Sequence, residues 1–169
     1  STLSSSSAAS DVYKRQLTNR INKKMNIRER NHGDDLVLAD IWLRSVRATH
    51  SFLTEKEIQA MYPQVLNTYL PSVRVWVCED DAGELAGFMG LSGNKVEMLF
   101  VDANQRGKGA GRRLLNFARS LHGTLLVDVN EQNPQAHGFY KHYGFEDVGR
   151  SAQDDAGRPF PIIHMKLAG

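Results

Sequence analysis

A glycine-spaced turn, Arg106-Gly107-Lys108-Gly109-Ala110-Gly111, follows the apolar run Met98 to Val101 and leads into a helical pattern. Glycine lets backbone N–H groups approach a ligand closely, and the helix aims the positive end of its dipole at the same point. The chemistry this loop fits is the binding of a phosphate group. Three side chains elsewhere are of the types that move protons. Tyr140 is a phenol with an ordinary pKa near ~10, so it stays protonated at neutral pH and can serve as a donor. Glu97, on the strand that leads to the loop, can take a proton directly or through a water. His50 carries an imidazole whose ordinary pKa suits the same task. Each also has a plainer reading, as a packed helix aromatic, a solvated strand charge and a surface histidine. Cys78, the one cysteine, reads as a buried strand residue near Trp76. His137 and His142 lie five apart on a helical stretch and do not share a face, so no metal site is expected.

These groups must be positioned by elements that the hydrophobic pattern lays out. Asn26 to Arg30 reads as a short strand. Asp34 or Asp35 can cap a helix whose apolar residues Leu38, Ile41, Trp42 and Val46 recur at helical spacing. A second helix starts at the capping box Thr54-Glu55-Lys56-Glu57 and runs past Ile58, Met61 and Val65, with Pro63 able to break or kink it. The polar and aromatic linker from Arg47 to Leu53 reads as a lid or substrate wall. Val73 to Glu79 and Leu85 to Leu91 form a hairpin about Asp80-Asp81-Ala82-Gly83, and Val96 to Val101 adds a third antiparallel strand.

The helix after the glycine turn is expected to bury Leu114, Leu115, Ala118 and Leu121 and to stop at Gly123. Leu125 to Val129 then reads as a buried strand, reached through a helix and so parallel to a neighbour. A helix from about Pro134 to Tyr143 and strands at Phe145 to Val148 and Ile162 to Leu167 complete a mixed sheet with helices on both faces.

The 169 residues, 41% of them hydrophobic, can bury a core in a single domain from residue 25 to 169. One cysteine excludes an internal disulfide framework and fits a reducing compartment. No apolar run is long enough to span a bilayer. The formal charge of +2 is uneven: Ser1 to Lys24 carries five cations against Asp11 alone, leaving the rest at about −2. The later part therefore has no basic footprint for nucleic acid, and neither nucleic acid nor membrane is expected as a partner. Residues 1–24 are serine-rich and read as a disordered tail without a secretion signal. Asp11-Val12-Tyr13-Lys14-Arg15-Gln16 matches a translated sequencing adapter, which would make the tail non-native and Met25 the natural start.

Two motifs in order carry a family resemblance. Arg106-x-x-Gly109-x-Gly111 after one strand, then Asn133-x-x-Ala136-x-x-Phe139-Tyr140-x-x-x-Gly144-Phe145 after the next, resemble the acyl-coenzyme A signature of the GCN5-related N-acetyltransferase (GNAT) superfamily. The resemblance covers the chain from Met25 onward. It implies an α/β fold, a mixed sheet of about six to seven strands with about four helices. It also implies a transferase that passes an acetyl group from acetyl-coenzyme A directly to a primary amine in a ternary complex, with no metal. The loop residues Arg106, Gly107, Lys108, Gly109, Ala110, Gly111 and Arg112 would hold the pyrophosphate. Leu99, Phe100 and Val101 would bond the pantetheine arm as an added strand, and Asn133 would bond the cofactor or cap its helix. Tyr140 would protonate the leaving thiolate, and an N–H near Leu99 or Phe100 would meet the oxyanion. The cofactor strand would splay from Leu125 to Val129, opening a gap for the acceptor. His50, Phe52, Asp128, Glu131, Asp154 and Asp155 are expected around that gap, a mostly acidic set suited to a cationic acceptor.

Other readings of the same residues are weaker. A dinucleotide-binding fold would use Asp128 on a ribose, but the glycines here are spaced G-x-G-x-G, and a nucleotide-hydrolase loop lacks the Ser or Thr after Lys108. A coenzyme A-binding sensor or assembly module without catalysis is the rival of a different class, and retention of Tyr140 argues against it. The resemblance is to small cytoplasmic bacterial enzymes, with a homodimer through the terminal strands compatible with it.

Overall fold

The computed structural model describes residues 25–169. The expectations for the serine-rich tail and for its basic charge lie outside them. A seven-stranded sheet forms in the order β1-β2-β3-β4-β5-β7-β6. Its strands are β1 (Met25–Glu29), β2 (Arg74–Asp80), β3 (Leu85–Ser92), β4 (Lys95–Val101), β5 (Leu125–Asn130), β6 (Glu146–Ser151) and β7 (Ile162–Leu167). All neighbours are antiparallel except β4 and β5, which follow one another through a helix and run parallel.

Two cores flank the sheet because the strands alternate. Val75 and Val77 face α1 (Asp35–Thr49) and α2 (Glu55–Gln64), together with Leu38, Ile41, Trp42 and Val46 of α1. Cys78, Met89, Leu125, Val127 and Val129 face the opposite core, which α3 (Ala110–His122) covers with Leu114, Leu115 and Ala118 and which α4 (Pro134–Tyr143) enters through Tyr140. The buried stripe of α3 ends at Ala118, a turn before the helix does, so Leu121 is 48% exposed rather than buried.

Local details differ from the sequence expectation for identifiable reasons. Asp34 and Asp35 do not cap α1 with their side chains. Arg28 takes Asp34 through two bonds of 2.9 and 3.1 Å, and Arg30 takes Asp35. Thr54 does cap α2, accepting the Glu57 N–H at 3.2 Å. Pro63 does not break α2; one π turn, Val65–Tyr69, follows it and widens the spiral before Leu70–Ser72. The sixth strand starts one residue later than Phe145 and extends to Ser151, where pairing with β7 holds a polar stretch that propensity alone would leave as loop.

Candidate active site

The site begins with a failure of pairing. β4 and β5 are matched only at Lys95 with Leu126 and at Val96 with Val127. On its other side β4 pairs Leu91 with Val96 and Gly90 with Met98, so Glu97 is the extra residue of a β-bulge. Had the parallel register continued, Glu97 would lie beside Asp128, two like charges on adjacent strands. The strands diverge at that point, while β5 stays paired with β7 along its whole length. The edge of β4 from Met98 to Val101 is left without a β5 partner, and the N–H and C=O groups of the alternate residues that point away from β3 are available to a ligand that lies along it.

On one side of the opening is a cleft of about 700 Å³ lined by Leu99, Phe100 and Val101 of β4, the glycine turn, and Asn133, Phe139 and Tyr140. Gly107 and Gly109 hold φ of 78° and 83°, a left-handed conformation that other residues avoid, and Gly109 is the residue before α3. The first N–H groups of α3 have no carbonyl a turn ahead, so they present an anion site at the end of the cleft. Arg106, Gly107, Gly109, Ala110, Gly111 and Arg112 line it, whereas Lys108 is exposed and off its wall. Gly111 packs so tightly that a Cβ there would stand 3.1 Å from Phe139. Asn133 both lines the cleft and caps α4, accepting the Ala136 N–H at 3.1 Å.

The loop is tied to the rest of the molecule by Asp102, the residue after β4. Its buried carboxylate accepts two bonds from Arg44 of α1, at 3.0 and 2.9 Å, and the Asn104 N–H. Burial pushes this carboxyl up, but the Arg44 and Asn104 hydrogen bonds outweigh it and hold it below the usual range. Tyr140 is buried at the wall of the same cleft between the rings of Phe139 and Phe145, each 5.3 Å away. Burial pushes its phenol above the ordinary value, so it carries its proton throughout the physiological range.

Across the opening lies a second cavity of about 550 Å³, lined by Glu97, Asp128, Asp154, Asp155 and Arg158 among apolar groups that include Trp42 and Met98. Phe100 lines both cavities, so they share a wall. The four acids are not equivalent. Asp154 is engaged by its own loop, accepting the Ala156 and Arg158 N–H groups and the Arg158 guanidinium at 2.8 Å. Asp128 is held by His164 Nδ1 at 2.7 Å and Lys95 Nζ at 2.9 Å. Burial pushes its carboxyl up, and these two partners bring it below the usual range.

The sequence-predicted residues are thus distributed over two walls. His50 lines the cleft of Tyr140 rather than the acidic cavity. Its Nδ1 is 2.8 Å from the Thr49 hydroxyl, whose proton goes to the Ser45 carbonyl, so Nδ1 is the protonated nitrogen and Nε2 is an acceptor with no hydrogen bond among the described residues. Burial pushes the imidazole below its ordinary pKa. Phe52 lines neither cavity; its ring packs at a tilt against His50 at 5.2 Å and Phe160 at 5.6 Å, joining the α1–α2 loop to the β6–β7 loop. Glu131 is away from the opening, paired with Arg150 on the surface. Sequence reasoning missed Lys95, His164 and Ser151 altogether. The inward alternation of Ile163, Met165 and Leu167 puts His164 on the face that Asp128 shares, but the pairing of β5 with β7 is needed to make them neighbours.

Comparisons with known proteins find relatives of this chain and of its fold. A family model described as an acetyltransferase (GNAT) domain matches residues 71–147. The chain is 42% identical over 141 residues to the peptidyl-lysine N-acetyltransferase YjaB of Salmonella typhimurium, a match covering 83% of this chain and 97% of that one. The solution structure of apo-form YjaB from Escherichia coli superposes with a TM-score of 0.80 at 41% identity, covering 86% of this chain and 98% of the other. The PaiA N-acetyltransferase of Thermoplasma acidophilum, solved in complex with coenzyme A, shares the fold at 19% identity with a TM-score of 0.69, covering 86% and 99% of the two chains.

Proposed function

Because the chain belongs to the GCN5-related N-acetyltransferase family, a family of N-acetyltransferases, we propose that its two cavities bind acetyl-coenzyme A and a lysine side chain of a peptide or protein. The observation that carries this reading is the splay of β4 from β5, which leaves one cleft built for an anion-bearing arm and an acidic cavity sharing the Phe100 wall. Glycine-loop N–H groups hold the pyrophosphate, and the free edge of Met98 to Val101 pairs with the pantetheine amides, which fixes the thioester near the bulge. The acidic cavity favours a cation, and the relatives named for peptidyl-lysine transfer support an ε-ammonium over a neutral amine.

The acceptor must lose a proton before it attacks. Glu97, exposed at the bulge and facing the cavity, takes that proton directly or through a water. The neutral nitrogen attacks the thioester carbonyl, a C–N bond forms, and a bulge-strand N–H meets the oxyanion. As the C–S bond breaks, Tyr140 gives its proton to the departing thiolate, and the second proton of the acylated nitrogen, lost through water, restores the phenol. Protein groups thus act at both ends of the transfer, within a ternary complex. The enzyme is expected to work in the cytoplasm, where both substrates are available.

Thiol release tests the reading, with residues 25–169 assayed against acetyl-coenzyme A and a panel of lysine peptides, polyamines and neutral amines. Release with lysine peptides, and weaker release with neutral amines, is the expected pattern. Cofactor binding without release for any amine would return the protein to the class of coenzyme A sensors.

A further inference from the structure

The vertex of the splay already holds an ammonium group. Lys95, the first of the two β4 residues paired with β5, places its Nζ 2.9 Å from Asp128 and 3.9 Å from Glu97, and Asp155 of the β6–β7 loop adds a favourable charge. Lys95 is partly exposed, with 31% of its side chain accessible. Asp128 is fixed from behind. His164 Nδ1 lies 2.7 Å from its other oxygen, and His164 Nε2 lies 2.7 Å from Ser151 Oγ. A carboxylate gripped in this way cannot follow a departing cation, so the movable partner at the vertex is the flexible lysine. Charge counts the same way. Among the described residues, Lys95 is the one lysine or arginine paired with Glu97 and Asp128, with Asp155 adding to its field, since Arg158 is taken by Asp154; His164 is the other partner of Asp128.

We propose that Lys95 is an internal competitor for the acceptor: its ε-ammonium occupies the Asp128 and Glu97 carboxylates that recognise the ammonium of the incoming lysine, and it must yield them for the acceptor to seat. The proposal rests on the reading of the acidic cavity as the acceptor site and adds a specificity-determining residue to it. Its physical content is a difference of affinities. An acceptor cation gains the carboxylates only by displacing an equal charge, so the resident lysine weakens every cationic acceptor while leaving uncharged ones alone. Partly exposed pairs of this kind are worth up to ~1 kcal/mol, which is about fivefold in affinity.

The test is an equilibrium titration of Nα-acetyl-lysine amide into protein saturated with coenzyme A at pH 8. Lys95→Met is expected to bind this probe about fivefold more tightly than wild type, while Lys95→Arg, which keeps the charge, does not. The uncharged analogue Nα-acetyl-norleucine amide should bind all three proteins alike. Equal or weaker binding of the lysine probe by a folded Lys95→Met protein would overturn the proposal and leave Lys95 as a clamp on the strand vertex. A second measurement needs no apolar variant. In wild-type protein with 13C-labelled lysine, the Lys95 Cε signal, assigned by its loss in Lys95→Arg, should shift on saturation with the lysine probe but not with the norleucine one. An unmoved signal at saturation likewise refutes the displacement. Thiol release from acetyl-coenzyme A by wild type with the same lysine probe reports separately on the acceptor-site reading.

Discussion

Replacing Gly87 by alanine should disturb cofactor binding from behind the strand that makes it. Gly87 pairs with Val101 across β3 and β4. A Cβ there would stand 2.7 Å from the Phe100 carbonyl oxygen, about 0.7 Å short of the 3.4 Å at which ordinary contact begins, and 3.3 Å from the Val101 Cα. Both obstacles are backbone, so no rotamer change relieves them and the strand itself must shift. Overpacking of this kind costs ~1–3 kcal/mol. In a domain of this size each kcal/mol lowers Tm by about 3 °C, so a fall of roughly 3–10 °C is expected by calorimetry. The displaced atoms belong to the β4 segment whose far edge faces the cofactor cleft, so KM for acetyl-coenzyme A should rise several-fold. KM for the acceptor should change less. A neighbouring control is Gly90→Ala, whose Cβ would meet the side chains of Val73 at 2.7 Å and Met98 at 2.9 Å. Both obstacles are side chains, Met98 able to turn aside and Val73 needing a small shift, so this variant should leave the β4 backbone in place and the cofactor KM nearer to wild type. The reasoning is refuted if Gly87→Ala melts within 1 °C of wild type, or if it destabilises the fold with no change in cofactor KM.

Tyr140→Phe should lower kcat about 100-fold or more with little change in acetyl-coenzyme A affinity, read by stopped thiol release and by calorimetric titration. Asp102→Asn should cost ~1–3 kcal/mol at neutral pH, since it removes the carboxylate that takes two hydrogen bonds from Arg44, and should loosen the glycine loop enough to raise cofactor KM. Because the folded Asp102 carboxyl lies below its ordinary value of 3.8, its contribution is present above that pH and is lost as pH falls; wild type and variant should converge in acid unfolding curves. His50 has the opposite chemistry but the same slope. Its folded pKa lies below the ordinary 6.5, so the unfolded chain binds a proton first and stability declines as pH falls below 6.5. Tm measured from pH 8 to pH 5.5 should therefore slope less in His50→Gln than in wild type, and an unchanged slope would count against a half-buried neutral imidazole.

Much of the architecture is legible in the one-dimensional pattern because it depends on local periodicity. Leu38, Ile41, Trp42 and Val46 mark the buried face of α1, and Gly107 and Gly109 mark the left-handed turn before α3, since no other residue adopts those angles without cost. Phe139-Tyr140, read with the glycine turn, points to one ligand cleft, and both halves do line it. Proximity between distant strands is another matter. Nothing in the spacing of Lys95, Asp128, Ser151 and His164 announces a continuous polar chain, because it exists only once β5 lies between β4 and β7 and β6 beyond them. His50 and Glu97, equal candidates for proton transfer by residue type, face different cavities, since the α1 terminus reaches the cleft of Tyr140 and the β4 bulge turns toward the acidic one. Residue type and local spacing determined what chemistry this chain can hold. Which groups meet was decided by tertiary pairing, because strand order and register bring together residues that periodicity leaves dozens of positions apart.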